Sequence, residues 1–92
     1  RRDIIVDGLN KIPGVTCMRP CGSFYVFPNI SSFGMSSMDF ATGLLQQTGV
    51  VATPGSAFGD AGEGYLRMAF SNSEENIIEA VRRMSDYCGK LK

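Results

Sequence analysis

Residues 65–70 read Tyr-Leu-Arg-Met-Ala-Phe, an apolar stretch that alternates in the manner of a half-buried strand and carries one charge at its centre, Arg67. Such a position constrains the fold sharply. Removing a cation from water is costly even after relaxation, so a charge on a core strand must meet an anion with good hydrogen bonds. Guanidinium holds carboxylates and phosphates through a planar fork, which a lysine ammonium cannot reproduce. Two sources of anion are open: a neighbouring acid, Asp60 or Glu63, or a carboxylate that arrives as a ligand.

The totals narrow the partners. Residues 1–92 make a single domain, with 43% apolar and 20% charged residues, a globular composition. Nine basic and nine acidic residues cancel, which removes the electrostatic footprint expected of a nucleic-acid or anionic-membrane binder. No apolar run has the length of a membrane span. Cys17, Cys21 and Cys88 are an odd set in a chain without histidine, so they read as reduced thiols of a cytoplasmic protein and not as metal ligands. On that reading the sequon Asn29-Ile30-Ser31 is accidental. A helical pattern starts at Arg1 without initiator methionine or capping residue, and the expectation is a segment of something longer.

Periodicity supplies the elements. Ile4, Ile5, Leu9 and Ile12 predict a helix over residues 1–11, weakened at Gly8 and stopped by Pro13-Gly14. Residues 15–19 and 23–27 are β-branched or aromatic around a turn at 20–22, which predicts a hairpin whose ladder ends at Pro28. Its second arm is apolar on both faces, as suits a strand packed on one side and approached by a ligand or another domain on the other. Ser36 with Asp39 has the form of a capping box before a helix striped by Met38, Ala41, Leu44 and Leu45, with Gly49 as its C-terminal cap. Residues 50–52 read as extended. Residues 53–64 carry four glycines, a loop for close approach or movement. After the Arg67 strand, Asn72 and Glu75 cap a last helix with Ile77, Ile78, Val81, Met84 and Cys88 inward. The fold class is α+β: a small, mostly antiparallel sheet of three to four strands covered by helices.

Familiar catalytic motifs are absent. The glycine loop lacks the Gly-Lys-Ser/Thr ending of a P-loop and the third glycine of a dinucleotide fingerprint, and it leads into a strand. Ser56 is one residue out of register with a nucleophile elbow and has no histidine to activate it. Glu74 and Glu75 stand where a helix dipole explains them.

Taken together, three blocks resemble the C-terminal segment of pyridoxal-phosphate-dependent aminotransferases of the aspartate aminotransferase superfamily. They are Pro20-x-Gly22-Ser23-Phe24-Tyr25-Val26-Phe27-Pro28, then residues 50–59 ending Thr-Pro-Gly-Ser-Ala-Phe-Gly, then residues 64–70 around Arg67. The resemblance covers essentially the whole chain and implies the small domain of a two-domain, fold-type I enzyme. It implies that Arg67 grips the α-carboxylate of an amino-acid or 2-oxo-acid substrate and that Phe24 lines the substrate pocket. Residues 54–59 would pack beside the site and help the domain close, while Ser23 stands where many relatives carry alanine. The same resemblance places the Schiff-base lysine, the other cofactor-binding groups and the main homodimer contacts in an N-terminal large domain. Lys11, Lys90 and Lys92 match no such motif, so the chain holds no catalytic or cofactor-binding residue of its own and should not transaminate alone. Lyases and synthases share this small domain. A free-standing module binding a small carboxylate through Arg67 is the alternative, and an interaction domain with Arg67 paired to Asp60 or Glu63 is a third reading.

Overall fold

The computed structural model describes residues 2–18, 24–70 and 73–91, which form three helices and three short strands. In chain order these are α1 (Arg2–Asn10), β1 (Tyr25–Val26), α2 (Ser37–Thr48), β2 (Thr53–Pro54), β3 (Leu66–Ala69) and α3 (Glu74–Leu91). Short 3-10 turns occupy Ser31–Phe33, Gly55–Phe58 and Asp60–Gly62. The sheet runs β1-β3-β2 and both pairings are antiparallel, so the expected α+β class holds with three strands. The arginine strand is the central one.

Alternation along β3 decides which side is core. Leu66 and Met68 are buried beneath the helices, together with Val26 of β1 and Ile30. Arg67 and Ala69 point to the opposite face. The helices complete the core with Leu9 of α1, Phe40 and Leu44 of α2, and Met84 and Tyr87 of α3. Phe40 anchors it, edge-on to Tyr87 at 5.3 Å between ring centroids and tilted against Phe33 at 5.4 Å. Gly8, read from sequence as a weak point in α1, lets that helix approach α3: a Cβ there would lie 3.0 Å from Val81 Cγ1.

Several expectations need correction. The hairpin arm at 15–18 joins its partner through one bridge, Thr16 to Asn29, while Asn10 exchanges two 2.8 Å hydrogen bonds with the backbone of Cys17 and takes the place of a strand neighbour. Residues 19–23, with the expected turn, lie outside the described residues. Pro28 does not end the pairing: its carbonyl accepts from Leu66 N–H at 3.0 Å, and Asn29 bridges Tyr65 in the same register. The extended segment expected at 50–52 forms instead at Thr53–Pro54, where β3 supplies a partner.

Helix faces shifted as well. In α2 the inward residues are Ser37, Phe40, Ala41 and Leu44, whereas Met38 and Leu45 are exposed. The bulky Phe40 sets the face, and Met38 and Leu45 lie about 160° and 140° around the helix from it. In α3 Tyr87 joins Ile77, Met84 and Cys88 in the core and Ile78 is exposed. Asn72 lies outside the described residues, and Ser73 performs the capping, its hydroxyl accepting from Asn76 N–H at 3.2 Å. Ser36 caps α2 as expected, accepting from Asp39 N–H at 3.1 Å, and Gly49 closes it in the left-handed conformation.

Candidate functional site: an arginine between two rings

Arg67 lies mid-strand on the side of the sheet away from the helices. Thr53 is its register partner on β2, and extension of the β1 register places Phe27 opposite it on the other side. Its guanidinium carbon sits 4.5 Å from the ring centroid of Tyr25 and 4.6 Å from that of Phe58. Two aromatic contacts thus cover the cation. Stacking of this kind is available to guanidinium because it is planar and weakly hydrated, and it leaves the in-plane N–H groups free to bind.

Sequence left open an internal ion pair, and the structure does not form it. No ion pair among the described residues includes Arg67. Glu63 is engaged elsewhere: its carboxylate accepts from Ser37 N–H at 2.8 Å and from Ser37 Oγ at 2.9 Å, at the first turn of α2. The Ser37 backbone donor, then its hydroxyl, hold the Glu63 carboxyl below its ordinary range. Arg67 is half-buried, less enclosed than the lone buried charge the alternation predicted.

Phe58 reaches the guanidinium because the glycine loop folds on itself. Gly55 and Gly62 approach backbone to backbone, and a Cβ on Gly55 would also lie 2.6 Å from the carbonyl oxygen of Tyr65. Gly55 N–H donates to that same oxygen at 2.8 Å, which joins the loop to the strand carrying Arg67. The loop is therefore filled by its own backbone and forms no phosphate cradle.

Phe24, the second expected site residue, is placed differently. It follows the face of Val26 and tilts against Phe70 at 6.4 Å, with 68% of its surface exposed, while its neighbour Tyr25 takes the position over Arg67. Sequence reasoning missed Tyr25 and Phe58 as companions of Arg67, although both lie in the blocks already singled out. The register that brings Tyr25 near was legible only once β1 was known to pair with β3. A hollow of about 300 Å3, lined by Thr16, Met18, Phe27, Asn29 and Tyr65, continues this apolar side of the sheet. A larger one of about 490 Å3 lies between α1, α3 and the end of α2 and does not include Arg67.

The family model for aminotransferase class I and II matches residues 1–84. The chain belongs to this family. It is 50% identical over 84 residues to an aspartate aminotransferase of Pyrococcus horikoshii, covering 91% of this chain and 22% of that protein. With an LL-diaminopimelate aminotransferase of Oleidesulfovibrio alaskensis it shares 48% over 85 residues, 92% of this chain and 21% of that one. The crystal structure of an aromatic aminotransferase from Pyrococcus horikoshii superposes with a TM-score of 0.93 at 38% identity, over 99% of this chain and 25% of the other. The chain thus spans about a quarter or less of the aminotransferases it matches. No helix among the described residues is long and apolar enough to cross a membrane.

Proposed function

We propose that residues 1–92 are the C-terminal small domain of a fold-type I aminotransferase, and that Arg67 grips the α-carboxylate of the amino-acid or 2-oxo-acid substrate. The observation that carries this reading is a half-buried guanidinium flanked by two rings, with no ion pair among the described residues although Glu63 lies four residues away. An arginine satisfied by its own fold would be closed to a ligand. This one is positioned by stacking, and its fork can accept a planar, bidentate anion. Phe24, largely exposed and beside Tyr25 in the chain, is assigned in this proposal to the lining of the substrate pocket.

The aminotransferase family implies pyridoxal phosphate in the full-length enzymes. On this reading the described residues supply no seat for it. Lys11 lies just beyond α1 and Lys90 in the last turn of α3, neither within a motif of the Schiff-base lysine, and the glycine loop is occupied by its own backbone. In this proposal the cofactor and its lysine belong to the large domain, and the small domain contributes orientation and exclusion of water when it closes. The parent enzyme works in the cytoplasm as a homodimer on an amino acid and a 2-oxo acid.

Arg67→Lys in the full-length protein tests this. A hydrogen bond to a charged group contributes about 1.5–3 kcal/mol, so loss of the two-pronged grip lowers kcat/KM for amino acids roughly 10- to 100-fold. Near-normal turnover by that variant would sink the assignment.

A further inference from the structure

The acid nearest to Arg67 in sequence works on it indirectly. Ser56 N–H donates to Ser37 Oγ at 3.2 Å, Ser37 Oγ donates to Glu63 Oε1 at 2.9 Å, and Ser37 N–H donates to Glu63 Oε2 at 2.8 Å. The direction of this chain is fixed by its last member. An ionised carboxylate only accepts, so it commits the Ser37 hydroxyl proton to itself and leaves the hydroxyl lone pair turned toward Ser56. Ser37 is fully enclosed, with 0% of its surface exposed, so water does not substitute for either partner.

Each end of the chain is tied to the arginine. Ser56 belongs to the Gly55–Phe58 turn, two residues before the ring that lies 4.6 Å from the guanidinium. Glu63 stands just before Gly64 and Tyr65, which lead into β3. The carboxylate thus closes a loop of contacts running from β3 to the first turn of α2, on to the 3-10 turn and back through Phe58 to Arg67.

We infer that Glu63, through Ser37 and Ser56, is a positioning residue that sets the Phe58 ring over Arg67 and so fixes the plane of the carboxylate fork. This inference rests on the reading of Arg67 as a substrate clamp, but its test does not. A proton held over the face of an aromatic ring is displaced upfield by the ring current, so the Arg67 Nε–H resonance reports the stacking directly. It is read in the natural full-length protein labelled with 15N-arginine, and assigned by its disappearance in Arg67→Lys.

Glu63→Gln replaces one acceptor oxygen by a donor amide, and Ser37→Ala removes the hydroxyl while leaving the backbone donor to Glu63 in place. Both are expected to move the Arg67 resonance most of the way to its position in Phe58→Ala, where the Tyr25 ring alone remains on the guanidinium. Arg83→Gln is the control for general loosening, because Arg83 ties α3 to the end of α2 at Thr48 and touches none of these groups. If Glu63→Gln and Ser37→Ala leave the resonance in place, or move it no further than Arg83→Gln does, the inference is wrong. Acetate added to the unaltered protein addresses the other question: an unmoved Arg67 signal would remove the clamp reading while the displacement in Glu63→Gln still decides the role of Glu63.

Discussion

Phe58→Ala offers the sharpest quantitative check on the arginine site. The ring is 51% exposed, so its truncation forfeits about half the roughly 1.5–3 kcal/mol gained by full burial of such a side chain, or about 1 kcal/mol. Its place over the Arg67 guanidinium adds about 0.5–1 kcal/mol for a cation–π contact at a partly exposed position. The expected loss is therefore about 1.5–2 kcal/mol. Separating the two contributions needs a double-mutant cycle with Arg67→Gln, which keeps a planar polar group and discards the charge. Urea unfolding of the four proteins should give a coupling of about 0.5–1 kcal/mol between the positions. Tyr25 is unaltered throughout, and its contact with the guanidinium is lost equally in both Arg67→Gln members, so it cancels. A coupling within about 0.3 kcal/mol of zero, the range of independent sites, would show that ring and cation merely adjoin.

Phe40→Ala, at a residue with no exposed surface in contact with Phe33 and Tyr87, should cost about 3–5 kcal/mol in the same assay. Gly62→Ala should lower the thermal midpoint well beyond a helix-propensity effect, since its Cβ would fall on the backbone of Gly55 and overpacking costs about 1–3 kcal/mol. Glu79, held by the Arg82 and Arg83 hydrogen bonds, has its pKa lowered from 4.5 to about 2. Because the folded value is depressed, its contribution is present above 4.5 and fades as pH falls toward 2, and Glu79→Gln should flatten the acid limb of a circular-dichroism titration in that window. Cys17 is buried, and desolvation raises its thiol pKa, so peptide mapping after iodoacetamide should find it unmodified until urea unfolds the chain.

Element types were legible because period and punctuation agreed: three helices at apolar spacing, Ser36 and Gly49 at the two ends of α2, and an alternating strand around Arg67. Faces were less legible wherever two apolar stripes competed. Met38 and Leu45 offered a stripe as good as Phe40 and Leu44 on paper, and the choice was made by ring contacts with Phe33 and Tyr87, which sequence does not display. Pairing was the hardest part. The eye reads residues 15–27 as a local hairpin, yet β1 takes its regular partner from residues 68–69 and Asn10 satisfies Cys17. Such long-range ladders are set by the burial of both neighbours of a central strand, and no local signal encodes them.

The same limit explains why Arg67 was found and its surroundings were not. A charge inside an apolar alternation is visible in one dimension, and Asp60 and Glu63 are the partners that one dimension offers. In three dimensions the unpaired backbone donor at the start of α2 competes for Glu63, and a helix N-terminus holds a carboxylate through both its N–H groups and its dipole. Once Glu63 is committed there, it no longer neutralises Arg67. The guanidinium then meets Tyr25 and Phe58, which cover a cation without occupying its in-plane donors. Were the pairing reversed, α2 would lose a cap and Arg67 would be satisfied from within, leaving no fork to offer. Glu63→Gln and Arg67→Gln should accordingly be additive in ion-pair energy, because the two charges do not neutralise each other, while remaining coupled through Phe58. Disappearance of that coupling in a Phe58→Ala background is the result this arrangement requires, and its persistence there would mean the two charges communicate directly.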